Sequence, residues 1–188
     1  MTSEPRPSSA IDEEIALVPW QPIWPALFKA EQERLQTQLP ELTRLEHFGS
    51  TAIPGMTAKP IIDILAGVSS MAEADRLFEP ILRAGYQTSR EFNATLSDRR
   101  WFMRVTDGRR SHHLHVVEFD GSQWVERLRF RDILRVDAGL ARQYADLKVG
   151  LAVRFRHDRD GYTNAKSDFV ALVAARSSGG IGTPGPAV

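Results

Sequence analysis

The chain has 188 residues, enough for one domain with a substantial apolar core and no covalent staples. It contains no cysteine, which excludes a disulfide framework and any thiolate metal site. With 24 basic and 24 acidic residues the formal net charge is zero, so no overall field draws the protein to nucleic acid or to an anionic membrane; a local basic cleft is compatible with that balance.

The opening "MTSEPRPSSA" has neither a basic n-region nor an apolar h-region, and no apolar stretch approaches the ~20 residues that cross a bilayer. The expectation is a soluble, cytoplasmic protein with no membrane partner. Residues 1–10 and 177–188 are rich in Ser, Gly and Pro and offer little to bury, so both are expected to be disordered around a globular body at 11–176.

After "LVPWQPIWP" the spacing of Trp24, Leu27, Phe28, Leu35 and Leu39 predicts a helix from about Pro22 to Leu39, with Pro25 in its first turn. "RLEHFGS" reads as a short strand, "GSTAIPGMTAKP" as a loop, and "PIIDILAGV" as a buried strand bounded by Pro60 and Gly67. Ser70 and Glu73 form a capping-box pattern ahead of a helix carrying Leu77, Phe78, Ile81 and Leu82 and ending near Gly85. Asp107-Gly108 between "RRWFMRV" and "SHHLHVVEF" predicts a hairpin. Period two then puts His113, His115 and Val117 on one face of its second strand, with His112, Leu114 and Val116 on the other. Three helices follow: "QWVERLRFRDILR", a second through Leu140, Tyr144, Leu147, Leu151 and Phe155, and "YTNAKSDFVALVAAR". Strands first and helices last predict an α+β fold, a mixed sheet backed by helices with a helical C-terminal third.

Asp63 is the residue that asks for an explanation, because a carboxylate inside an apolar strand is costly unless it is paired or serves a ligand. Upstream, Gly49 lets the backbone approach a ligand closely, and Ser50 with the following N–H groups can donate to phosphate oxygens. An acid at a strand edge beside such a loop can hold a divalent cation that bridges phosphates.

"EHFGSTAIPGMTAKPIIDIL" resembles the signature of the GrpB family, also grouped as UPF0157, which is placed in the nucleotidyltransferase superfamily. "HHLHVVE", "FRDILR", "YADLK" and "YTNAKSDFV" follow in that family's order. The resemblance implies a nucleotidyltransferase-like fold in which a Gly-Ser grips a nucleotide triphosphate and an Asp-x-Asp pair with a later acid holds two magnesium ions. Gly49 and Ser50 match the grip and Asp63 matches one acid, but Ile61 and Leu65 stand where the second acid would fall, and His113 and His115 stand where the later one would.

Imidazole is a poor ligand for Mg²⁺ and a good one for Mn²⁺ or Zn²⁺, so the expectation is a single divalent metal on Asp63, His113 and His115, with Glu46 or Glu118 as a fourth group. Asp63 and His115 are the candidate catalytic residues. Gly49, Ser50, Thr51, Lys59, Arg131, Arg135 and Lys148 are the candidate phosphate-binding residues, the last three lining the cleft from the helical half. The partner would be a nucleotide or other phosphorylated metabolite, and a nucleic-acid enzyme ranks low. Two functions stay open: transfer of a nucleotidyl group to a small acceptor, or a module that kept the fold and binds a phosphate- or carboxylate-bearing ligand. Fusion of family members to dephospho-CoA kinase points the latter toward a coenzyme A-related or nucleotide ligand. A structural account also stands: Asp63 paired with Lys59 or Arg131 in a closed sheet, His113 and His115 as core histidines, and the Tyr144–Leu147 stripe as core.

Overall fold

A computed structural model describes residues 14–176; the ends expected to be disordered, 1–10 and 177–188, lie outside the described residues, as do residues 11–13 of the expected globular body. Helix α1 (Trp24–Gln38) begins two residues later than its pattern suggests, with Pro25 in its first turn where a missing N–H costs nothing. Strand β1 (Arg44–Phe48) leads through Gly49 into a 3₁₀ turn at Ser50–Ala52, and β2 (Ile62–Val68) follows. The single helix expected after Ser70 is two, α2 (Met71–Arg76) and α3 (Phe78–Arg83), broken at Leu77. Its capping box is half-formed: Ser70 Oγ accepts the Glu73 N–H at 3.3 Å, while the Glu73 carboxylate accepts from the N–H and hydroxyl of Ser69.

A short helix α4 (Arg90–Ala94), which no apolar period announces, precedes β3 (Arg100–Thr106) and β4 (Arg109–Glu118). Asp107 and Gly108 both have positive φ, 52° and 73°, as a tight hairpin turn demands. Helices α5 (Ser122–Val136) and α6 (Ala138–Arg154) match the expected pair. The third expected helix is interrupted, giving α7 (Arg159–Asn164) and α8 (Ser167–Arg176), with Lys166 in the break.

The sheet is mixed, in order β1-β2-β4-β3, with β2 and β4 parallel and both edges antiparallel. Its two faces do different work. Ile62, Ile64, Ala66, Leu114 and Val116 point to one side and pack with Leu35, Leu39 and Ile81 in the main core. The other side carries Asp63, Leu65, His113 and His115, and at its far end Leu65, Val117 and Phe48 pack on Trp124 of α5. No helix among the described residues is long and apolar enough to cross a membrane.

Candidate functional site

The parallel register places Asp63 beside His113 and Leu65 beside His115, so period two delivers one carboxylate and two imidazoles to the same sheet face. His113 Nδ1 and Asp63 Oδ1 are 3.0 Å apart, and a ligand atom from each of Asp63, His113 and His115 lies within 4.8 Å of the others. Gly49 answers to this carboxylate. It adopts φ 72°, ψ −172°, a region open in practice to glycine, and a Cβ there would stand 2.4 Å from Asp63 Oδ2. The turn after β1 is thus pressed against the acid of β2.

Burial raises the Asp63 pKa, but the hydrogen bond and field of His113, with the fields of His115 and Lys59, outweigh it and hold the group at about 2. Burial pushes His113 below its ordinary range and His115 well below it, so both rings are neutral near pH 7. His113 Nε2 and His115 Nδ1 are buried with no hydrogen-bond partner among the described residues. Neutral imidazoles with unused ring nitrogens beside a carboxylate suit one transition-metal cation, Zn²⁺ or the harder Mn²⁺, better than Mg²⁺. A magnesium pair does not fit: Ile61 and Leu65 are 5% and 0% exposed and bring no oxygen, Glu46 is bound to Arg131, and Glu118 accepts the Met71 N–H at 3.1 Å.

Three lysines surround this centre. Lys148 of α6 is 2% exposed, donates to Ser50 Oγ at 2.9 Å and to the Thr57 carbonyl, and is brought down to about 7, first by burial and then by Lys166. Lys59, just before β2, and Lys166, in the α7–α8 break, lie 5.2 and 4.3 Å from the Tyr162 ring. Burial brings each to about 8, and the field of Asp63 opposes the drop in all three. Arg127 of α5 stands over the Phe48 ring at 5.5 Å and is lowered to about 10 by burial and by Arg99. The Tyr144 phenol, otherwise part of the helical core, interacts with Ser50 from the same side.

Three residues expected to bind phosphate are engaged elsewhere. Arg131 donates to Glu46 and to the His47 carbonyl, both at 2.8 Å, and to Asp132 at 2.7 Å. Arg135 donates to the Ala52 carbonyl and to Asp132. Thr51 is 1% exposed, with its hydroxyl toward His47 Nε2 and the Ile61 carbonyl. Lys166 and Arg127 went unnoticed in the sequence. Arg127 is one turn before Arg131 on the same face of α5, and helical periodicity alone does not say which of them meets the acid on β1. Lys166 lies within the quoted "YTNAKSDFV", where only a break in the helix would mark it.

Fold and site together define a class: a small α+β protein with a four-stranded mixed sheet, a lone strand aspartate and a glycine-serine turn packed against it. The chain belongs to the GrpB family, whose model, described as "GrpB protein", matches residues 14–176. It is 38% identical over 163 residues to the glutamate-rich protein GrpB of Alkalihalophilus pseudofirmus, covering 84% of this chain and 92% of that one. It is 41% identical to a UPF0157 protein of Pseudomonas aeruginosa, covering 90% and 70%. A dephospho-CoA kinase of Mycolicibacterium paratuberculosis is 32% identical over 81% of this chain, which spans 43% of that relative's length. The crystal structure of GrpB from Enterococcus faecalis superposes with a TM-score of 0.74 at 34% identity, over 86% of this chain and 96% of that one.

Proposed function

We propose that this chain binds a phosphorylated small molecule, a nucleoside triphosphate foremost, together with one divalent cation, at the turn Gly49–Ser50 and the sheet face of Asp63. One observation carries the reading. Lys59, Lys148 and Lys166 share the field of Asp63 and form no ion pair among the described residues, so one carboxylate is set against three ammonium groups. A buried excess of positive charge is costly, and an anion with several negative oxygens relieves it. Because Lys148 donates into Ser50 Oγ, the serine hydroxyl hydrogen is left for an acceptor, the Tyr144 phenol in this structure and a phosphate oxygen when the ligand is bound. Asp63, His113 and His115 would hold the cation, which would neutralise charge on the bridging phosphates. In the fuller, nucleotidyltransferase-like form of this reading, the cation would rest on Asp63 and His113 alone, and His115, its lone pair unused, would take the proton from a small acceptor that attacks the α-phosphorus and expels pyrophosphate.

The second reading, a binding module without transfer, is favoured by Ile61 and Leu65, which leave the acid pair incomplete. The match to dephospho-CoA kinases adds coenzyme A-related molecules to the ligands worth testing. Calorimetric titration with ATP, CTP, GTP and UTP, each with Mg²⁺ or Mn²⁺, separates these. Binding is expected, stronger with Mn²⁺, with its metal dependence lost in Asp63→Ala and its strength reduced for every nucleotide in Lys148→Met. Absence of heat with every nucleotide ends the phosphate reading; binding that survives chelation and yields no product over hours selects the module.

A further inference from the structure

Among the described residues, the large aromatic side chain nearest the site that the core does not use is Trp101. It lies on β3, paired in register with His115, and its ring centroid is 5.3 Å from His113, which in turn contacts Asp63 at 3.0 Å. Neither Trp101 nor Phe92, which meets it edge-on at 5.7 Å and is 45% exposed, belongs to any of the hydrophobic clusters. The Arg110 guanidinium stands over the same indole at 5.9 Å on a flexible stem.

Trp101 is also held with unusual care for a residue outside the core. β3 is an edge strand, and the outward N–H and C=O of such a strand ordinarily face solvent. Here the Trp101 N–H donates to Asn93 Oδ1 at 2.7 Å, and the Trp101 carbonyl accepts from Asn93 Nδ2 at 2.9 Å and from the Thr88 hydroxyl at 2.6 Å. Asn93 is 4% exposed and is itself fixed by Thr88 and the Ser89 carbonyl. A buried amide thus clamps both backbone groups of one edge residue, and the ring it aims stands beside the imidazole nearest the lone carboxylate.

We propose that Trp101, flanked by Phe92 and Arg110, is the stacking platform for a planar ring on the ligand, so that the ligand is a nucleotide-like molecule and not a sugar phosphate or a bare polyphosphate. This rests on the phosphate reading above. Aromatic faces and guanidinium planes are the surfaces on which nucleobases stack, and such stacking tolerates any base. Asn93, a side chain close to the platform with the groups to read a base edge, spends its amide on Trp101, Thr88 and Ser89. The four common bases are therefore expected to bind within about tenfold of one another, as stacking without edge readout allows.

The test titrates wild type, Trp101→Ala and Trp101→Phe with ATP and with inorganic tripolyphosphate at one Mn²⁺ concentration. Wild type should bind ATP at least about 5-fold more tightly than tripolyphosphate, the lower end of what base stacking supplies. Trp101→Ala should erase that difference while leaving tripolyphosphate binding unchanged, and Trp101→Phe, which keeps a ring, should retain most of it. Equal binding of both ligands by wild type overturns the platform and leaves the phosphate reading standing. Loss of both ligands together in Trp101→Ala makes the residue structural and likewise overturns it. If neither ligand binds wild type, both readings fall.

Discussion

Gly49→Ala tests the contact on which the site is built. The glycine sits at φ 72°, ψ −172°, where a side chain costs about 1–3 kcal/mol whatever surrounds it. The new methyl would also stand 2.4 Å from Asp63 Oδ2 and 3.0 Å from its Cγ, so the carboxylate must swing away from His113. Hydrogen bonds to charged groups contribute about 1.5–3 kcal/mol, and the Asp63 side chain is 26% exposed, so water recovers part of that and the lower end applies. The single variant should therefore lose about 2–5 kcal/mol of folding stability. In an Asp63→Ala background the Oδ2 and Cγ contacts vanish, leaving the backbone cost of about 1–3 kcal/mol and the milder contact with the Cβ of residue 63 at 3.0 Å. Guanidinium unfolding of the four proteins of this double-mutant cycle, at one pH, yields the coupling between the two positions. A coupling indistinguishable from zero, or a Gly49→Ala cost below about 0.5 kcal/mol, refutes the claim that turn and carboxylate are built against each other.

Lys59, Lys148 and Lys166 hold folded pKa values of about 8, 7 and 8 against an ordinary 10.5, so from pH 7 to 10 the unfolded chain binds more protons and folding stability should rise with pH. Over pH 7 to 9 nucleotide affinity should move the opposite way, because the same lysines lose charge; thermal melts and titrations at stepped pH read both, and parallel trends would contradict the assignment. Arg131→Met should cost about 1–3 kcal/mol through the lost bond to the His47 carbonyl, with nucleotide affinity unchanged in the folded fraction. Weakened binding there would return Arg131 to the site. On the opposite sheet face, Glu31 is 3% exposed and accepts from Arg34, Arg104 and the Tyr86 hydroxyl. Glu31→Gln should destabilise toward the lower end of about 3–5 kcal/mol, since both guanidiniums keep some solvent, and chemical unfolding that shows no loss would rule out a structural role for the network.

Local pattern was enough to specify the hairpin at Asp107-Gly108, the face shared by His113 and His115, the two long C-terminal helices and the oddity of Asp63, because each follows from turn chemistry or from a period that adjacent residues impose. Helix breaks at Leu77 and Lys166 escaped it, since both fall inside runs whose apolar spacing continues across the interruption. Which cations reach the carboxylate was decided only in three dimensions. Arg127 and Arg131 are one turn apart and chemically alike, yet the acid on β1 captures one and the Phe48 ring receives the other. Lys148 meets Ser50 across 98 positions of chain, and no sequence period encodes a contact of that range; the packing of α6 against the loop before β2 creates it.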